Sequence, residues 1–339
     1  MSSAFTRTLT PQAGAPLSVS VVMPTKNRAR FLVDAVRALL AQTAAPDELI
    51  IVDQSDDDEG VRRVAALVAA APSHRRPRLA HVLDRAINGA AAARNAGFDR
   101  ATGDIIVCCD DDVLAEPTVL EHLLAHYRLA PEYAALAPVI TNYPAPSLLH
   151  RFYRAAFCLG PFRDERQPVY WFWRRYPASA RVPVRMFTGA MMSFRREALA
   201  GLRHDARYKG ASVGEDIDLC WALWRRGAWL AIVTDAHIVH NRAPRPVRRP
   251  EEAQIASWGF LAQKHLPRTL RTQAAFAWYV VGVFVGAVIS AVQERTLDPL
   301  RSAVAGVRAV WTDYADSTFL QSGSPDMAPT PPDVRDAPA

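Results

Sequence analysis

The first half of the chain alternates between a strand-like and a helix-like arrangement of apolar positions. Residues 19–23 are a short, β-branched run that halts at Pro24. Residues 48–52 are a second run, ended by Asp53-Gln54-Ser55-Asp56-Asp57-Asp58. Residues 79–83 and 104–109 read as third and fourth strands, the latter ended by Asp110-Asp111-Asp112. Between them, residues 30–42 put Phe31, Val33, Val36, Leu39 and Leu40 on one broad helical face. Residues 61–71 and 90–100 read as further helices, the second stopped near Gly103, and Pro117 suits the first turn of a helix over 117–127. Later, residues 186–194 read as a strand, 215–226 as a helix and 229–233 as a last strand, with His237 and His240 beyond its end. This β-α-β-α order predicts an α/β fold with a mostly parallel sheet flanked by helices. Ligands of such sheets bind outside the carboxyl ends of the strands. Pro24-Thr25-Lys26-Asn27-Arg28, Asp53-Gln54-Ser55 and Asp110-Asp111-Asp112 all fall at those ends, so three polar clusters converge on one edge.

Two segments break the alternation. Residues 143–185 are rich in Pro, Arg and aromatics, including Phe152, Tyr153, Phe157, Phe162 and Tyr170-Trp171-Phe172-Trp173. A long aperiodic stretch reads either as a lid or binding loop or as short helices packing rings into the core. Residues 274–292 form an uncharged run of 19, preceded by Lys264, Arg268 and Arg271 and followed by Glu294 and Arg295. A bilayer takes about 20 apolar residues to cross, so this run is just long enough to span. Its alanines, glycines and serine equally suit an interfacial or buried helix. The tail from residue 322 is polar and Pro-rich and is expected to be disordered. The expected division is a flexible N-terminus over 1–17, a main domain over 18–245, membrane-associated helices over 246–321 and the tail.

Composition narrows the class. The 339 residues are 50% hydrophobic and 22% charged, which excludes wholesale disorder. Four cysteines without C-x-x-C or metal-ligand spacing exclude a disulfide scaffold and a zinc ribbon and fit a reducing, cytoplasmic compartment. The first 17 residues lack the apolar stretch of a secretory signal. The balance of 40 basic to 34 acidic residues gives +6, and all but Lys26, Lys209 and Lys264 of the basic residues are arginines. Arginine suits phosphate recognition, but no basic cluster accompanies a nucleic-acid reader motif, so no nucleic-acid partner is expected. G-x-G-x-x-G and G-x-x-x-x-G-K-[ST] are both absent after the first strand, which removes the dehydrogenase and P-loop readings.

The acidic clusters carry the candidate chemistry. Carboxylates crowded at a strand end repel one another and become tolerable around a hard divalent cation such as Mg²⁺ or Mn²⁺. The bland alternative for Asp110-Asp111-Asp112 is an exposed acidic turn. Glu215 and Asp216 open a helix behind Gly214, where acids favour the helix dipole without any function. A carboxylate on a rigid helix start is also well placed as a general base. His240 is a candidate third metal ligand.

Together these segments resemble family 2 glycosyltransferases with the GT-A fold. SVSVVMPTKNR, ELIIVDQSDDD, AAAARNAGFDRATGDIIVCCDDD, FTGAMMSFRREAL and GEDIDLCWALWRRG occur in that family's order, covering about residues 18–240. The resemblance implies that Pro24, Thr25 and Arg28 form the first nucleotide-binding loop and that Asp53 lies near the nucleobase. Gln54 stands where the family commonly has a second Asp. It implies that Arg94 serves the diphosphate, that Asp110 or Asp111 lies nearer the ribose, and that Asp112, Asp110 and His240 hold Mg²⁺ or Mn²⁺. Asp216 is implied as the base of an inverting transfer from a nucleotide-diphosphate sugar. Gly189, Ala190, Glu215 and Trp171 are expected on the acceptor side. The acceptor is expected to be a glycan or lipid-linked glycan of the cell envelope, at the inner face of the cytoplasmic membrane. A sugar-phosphate nucleotidyltransferase is the alternative, although it would normally carry a Gly-rich loop after the first strand, where PTKNRAR has no glycine.

Overall fold

A computed structural model describes residues 16–208, 213–243 and 250–315. The expected disordered tail, nearly all of the expected N-terminal segment and most of the basic stretch 242–249 lie outside the described residues.

The first half follows the predicted alternation: β1 (Val19–Thr25), α1 (Ala29–Leu40), β2 (Glu48–Asp53), α2 (Glu59–Ala70), β3 (Arg78–Leu83), α3 (Ala90–Phe98) and β4 (Ile105–Cys109). β1, β2 and β4 are buried along their whole length, as the continuous apolar runs require of strands covered on both faces. β5 (Val113–Ala115), α4 (Val119–Leu129), β6 (Tyr133–Ile140), α5 (Leu148–Phe157), α6 (Arg166–Phe172), β7 (Arg181–Pro183), β8 (Met191–Arg195), α7 (Glu215–Arg225) and β9 (Trp229–His240) complete the sheet and its cover. The strand order is β3-β2-β1-β4-β8-β6-β9-β5, with β7 pairing β9. Pairing is parallel through β3, β2, β1 and β4, as expected for the nucleotide-binding half. Beyond β4 it is mixed, with β8 antiparallel to both neighbours. The order turns back at β1 and β4. The carboxyl ends of these strands flank the crevice where such sheets hold ligands.

Several local expectations are corrected. Pro117 precedes the helix, which is first helical at Val119 behind the N-cap Thr118. β1 continues through Pro24 to Thr25. The last strand does not stop at Val233 but runs to His240, so His237 and His240 lie on it. The polar residues Thr234 and Asp235 hid this. A register shift opposite Pro138 and Val139 accommodates them. Thr234 Oγ1 donates to Pro177 O at 2.8 Å, and Asp235 Oδ1 meets His126 Nε2 at 2.9 Å. The aromatic middle resolves into short helices. Phe162, Val169 and Tyr170 are buried, while Phe152 stays exposed.

Three helices follow: α8 (Pro250–His265), α9 (Leu270–Glu294) and α10 (Asp298–Ala315). α8 and α9 pack onto the sheet domain, and α10 packs on α8 and α9. Trp258 meets Trp221 of α7 with ring centroids 5.8 Å apart, and Tyr279 stacks on Phe162 at 5.6 Å. Asp218 of α7 accepts from Lys264 Nζ at 2.7 Å and meets His265 Nε2 at 2.7 Å.

Candidate active site

α3 is Ala-rich and carries Gly97 against Val22. A Cβ there would lie 2.2 Å from Val22 Cγ1. Small residues thus let α3 approach β1, which sets Arg94 over the strand ends. The buried Arg94 guanidinium donates to Asp110 Oδ1 at 2.7 Å, to Glu215 Oε1 at 3.2 Å and to Gly189 O at 3.1 Å. One side chain therefore ties β4, α7 and the loop before β8 together. The surrounding carboxylates hold it protonated despite burial.

Asp110, Asp111 and Asp112 turn away from the end of β4. Asp111 accepts from Thr25 Oγ1 at 2.7 Å and from Arg28 Nη1 at 3.2 Å. Burial pushes its pKa up to about 6, against the pull of Thr25 and Arg28. Asp112 Oδ1 lies 3.1 Å from His240 Nε2, and Asp112 Oδ2 accepts from Ala243 N at 2.9 Å. Donor atoms of Asp110, Asp112 and His240 all lie within 4.8 Å of one another. The two ring nitrogens of His240 are buried and make no aligned hydrogen bond. Two carboxylates and one imidazole, converging beside a further acidic residue, fit a hard or borderline divalent cation.

α7 starts at Gly214, whose φ of +99° is open to glycine and costly for other residues. Asp216 at the next-but-one position accepts from Gly189 N at 2.8 Å and lies 3.5 Å from Arg166 Nη1. Burial, then repulsion from Asp216, raises the Glu215 pKa to about 7, with Arg94 opposing.

A cavity of about 480 Å³ collects these groups. Pro24, Thr25, Arg28, Gln54, Arg94, Asp110, Asp111, Gly189, Ala190, Glu215, Asp216 and His240 all line it. Three expected residues do not. Asp112 sits behind the wall, buried against His240 and Ala243. Asp53 is buried too, accepting from Ser55 N at 2.8 Å, and Gln54 holds the wall, with Oε1 accepting from Gly89 N at 2.9 Å. Trp171 lines a second cavity of about 520 Å³, with Tyr143, His150 and Gln167. The two cavities share Arg166 and Thr188. Sequence reasoning missed Arg166. It is held by Asp164 at 2.9 and 3.0 Å and donates to Phe187 O. Nothing in the local pattern around Asp164-Glu165-Arg166 marks it, since only tertiary packing brings it to Asp216.

The fold is that of the GT-A glycosyltransferases, and the acidic strand end facing a helix-borne carboxylate lies in its ligand crevice. The model of the Glycosyl transferase family 2 matches residues 20–203, more than half of the chain, and the chain belongs to that family. It is 34% identical over 114 residues to the glycosyltransferase YwdF of Bacillus subtilis, covering 34% of this chain and 40% of that protein. It is 26% identical over 297 residues to the pre-mycofactocin glycosyltransferase of Mycobacterium tuberculosis, covering 81% of this chain and 55% of that one. The matched regions thus span well under two thirds of these relatives. Among solved structures, the mannosyltransferase PcManGT from Pyrobaculum calidifontis, in complex with GDP-Man and Mn²⁺, superposes with a TM-score of 0.54. It is 18% identical, with 88% of each chain covered, a likeness of fold.

Proposed function

We propose that the protein is an inverting glycosyltransferase that moves a sugar from a nucleotide-diphosphate sugar to an acceptor hydroxyl. The carrying observation is that Asp110, Asp111 and Asp216 line a single cavity, with Arg94 between the strand end and α7. The loop Pro24, Thr25 and Arg28 and the neighbouring Gln54 bind the nucleotide, and Arg94 and Arg28 offset charge on the diphosphate. Asp110, Asp112 and His240 would hold Mg²⁺ or Mn²⁺. A bound divalent cation neutralises negative charge developing on the leaving diphosphate. The GDP-Man and Mn²⁺ in the PcManGT complex support this pairing of donor and metal.

Asp216 takes the proton from the acceptor hydroxyl as its oxygen bonds to the anomeric carbon. The bond from that carbon to the diphosphate oxygen breaks on the opposite face, and the nucleoside diphosphate leaves. A single displacement inverts the anomeric centre. The Gly189 amide fixes the Asp216 carboxylate, as a general base requires. The acceptor enters through the second cavity, past Trp171, and reaches Asp216 between Arg166 and Thr188. A glycan or lipid-linked glycan of the cell envelope suits that aromatic route. The membrane contact would then be α9, at the cytoplasmic face.

The test is a thermal-shift screen of UDP-, dTDP- and GDP-sugars with Mn²⁺ or Mg²⁺, followed by Asp216→Asn. A donor that binds stabilises the fold. Asp216→Asn should keep that shift and lose transfer by roughly 10²–10⁴-fold. Near-normal turnover of Asp216→Asn would remove the base assignment.

A further inference from the structure

α9 is long and apolar enough to cross a membrane, yet one side of it belongs to the protein core. Tyr279, Gly282, Val283 and Ala287 are buried. Tyr279 packs between Phe162 and Trp258, which in turn contacts Trp221 of the sheet domain. α5 covers a neighbouring side. Phe157 lies on Gly282, where an added Cβ would approach its side chain to 2.5 Å. Tyr153 Oη donates to Gly282 O at 2.6 Å, and Trp278 Nε1 donates to Ala156 O at 2.7 Å. Spanning would pull this whole cluster, with the sheet domain attached, into hydrocarbon.

Among the described residues, the remaining side of α9 is largely uncovered. Val281, Val285, Val288 and Val292 are exposed at steps of four, three and four, so they form one stripe that begins beside the half-exposed Trp278 at the α5 contact. Contacts between α5 and α9 run antiparallel, from Phe157 at Trp278 to Tyr153 at Gly286. One turn before Tyr153, Leu149 continues this line towards Ile289. Leu149 is 77% exposed and Phe152 72% exposed. Charge selects the occupant. Residues 142–163 carry Arg151, Arg154 and Arg163, of which Arg154 pairs with Asp164 at 3.9 Å, and residues 266–293 carry Arg268 and Arg271; Arg151, Arg163 and Arg271 are exposed. Apolar side chains flanked by the exposed Arg151, Arg163 and Arg271 complement an anionic lipid surface. A second copy of the same face would set arginine against arginine.

We propose that α5 and α9 together form one in-plane docking face for an anionic bilayer, with α5 seating the second cavity at the lipid surface. Ser147 and His150 line that cavity, while Leu148 and Leu149 between them face outward, so cavity wall and lipid contact share one helical turn. The acceptor implied is an amphiphile whose polar head enters from the membrane plane. This last step rests on the reading of the second cavity as the acceptor route, whereas the docking itself does not.

The experiment is flotation of the full chain with vesicles of phosphatidylcholine alone and of phosphatidylcholine mixed with phosphatidylglycerol, with the thermal shift by nucleotide sugar measured in parallel. The parent should float with the mixed vesicles and be released by alkaline carbonate, as a peripheral protein is. Leu149→Glu/Phe152→Glu should lower the bound fraction roughly tenfold or more, with melting temperature and donor shift unchanged, because both side chains are already in water. Val285→Glu/Val292→Glu should do the same. Arg151→Gln should cost about fivefold on the mixed vesicles alone. No flotation of the parent, carbonate-resistant insertion, loss through the α9 variant with none through the α5 variant, or a lipid-free dimer broken by the α5 variant would each overturn the proposal. A missing donor shift with normal flotation would instead count against the glycosyl-transfer reading.

Discussion

Arg94 joins residues more than 100 positions apart, Asp110 and Glu215, and all three side chains are buried at the cavity wall. A buried pair is costly to break because the surviving charges lose their partner. Arg94→Met should therefore destabilise the fold by about 3–5 kcal/mol in urea denaturation. Arg94→Lys keeps the charge but loses the planar fork, so it should recover part of the stability and little of the transfer rate. A fully stable Arg94→Met would mean that the ion pairs do not hold α7 to the sheet. A second residue reports on the same region through pH. His204 is stacked on Phe98 at 5.6 Å, and its Nδ1 is 3.1 Å from Glu215 O. Burial, helped by Arg94, lowers its pKa from 6.5 to about 3. The unfolded chain takes up a proton near pH 6.5 that the folded chain refuses. The neutral ring's contribution is therefore present above pH 6.5 and lost as pH falls towards 3, about 2 kcal/mol of it by pH 5. Glu215 works in the opposite sense. Its raised pKa makes its contribution present below pH 4.5 and lost as pH rises through 7. Comparing the parent with His204→Gln cancels the Glu215 slope. The variant should lose less stability than the parent between pH 6.5 and 5 in urea titrations. Parallel losses would assign the acid sensitivity elsewhere.

At the scale of elements, the position of Asp216 depends on how α7 begins. Gly214 has φ +99°, and a Cβ on it would come within 2.2 Å of Ser257 Oγ on α8. Gly214→Ala meets both a backbone penalty and a collision, together about 1–3 kcal/mol or more. Adding Ser257→Ala removes the collision and leaves the backbone penalty. The double variant should melt above the single one and below the parent in calorimetry. Equal melting of the two variants would make the backbone conformation the whole cost. Elements of this kind divide by what a local pattern can carry. β1, β2 and β4 were legible because uninterrupted apolar runs end in polar clusters, and those ends turned out to share one cavity. The continuation of β9 was not legible, because Thr234 and Asp235 look like a turn until Pro177 and His126 supply their partners. β5 and β7 have three residues each, too few for any period to register. The roles of Arg166 and Asp53 depend on packing that spacing does not encode. One arrives at Asp216 from the aromatic middle, and the other turns inward and leaves Gln54 at the wall.

For the whole molecule, the open matter is whether residues 18–245 can stand apart from the helices that follow. The expected boundary treats α8–α10 as an appendage for the membrane, but their contacts argue for a shared core. Ile255, Trp258 and Leu261 of α8 and Tyr279 of α9 are buried with residues of the sheet domain. Asp218 is 1% exposed and held by Lys264 and His265. Ending the chain at residue 243 would uncover Trp221 and Phe162 and strip Asp218 of both partners. Losing the packing of one large aromatic costs about 3–5 kcal/mol, and a whole domain has only about 5–15 kcal/mol in reserve. Two such losses, with an unpaired carboxylate added, exhaust that reserve. The shortened chain should therefore lack a cooperative thermal transition and near-ultraviolet circular dichroism, and it should bind a hydrophobic dye. A chain ending at Thr272 keeps α8 but loses Tyr279, so it should melt cooperatively at a lower temperature than the parent. A cooperative, donor-responsive transition from the chain ending at 243 would make the sheet domain self-sufficient and confine α8–α10 to the membrane. Failure of the shorter chain beside a weakened but folded longer one would make these helices part of the structure that positions Asp216, and their outer face the only portion left for lipid.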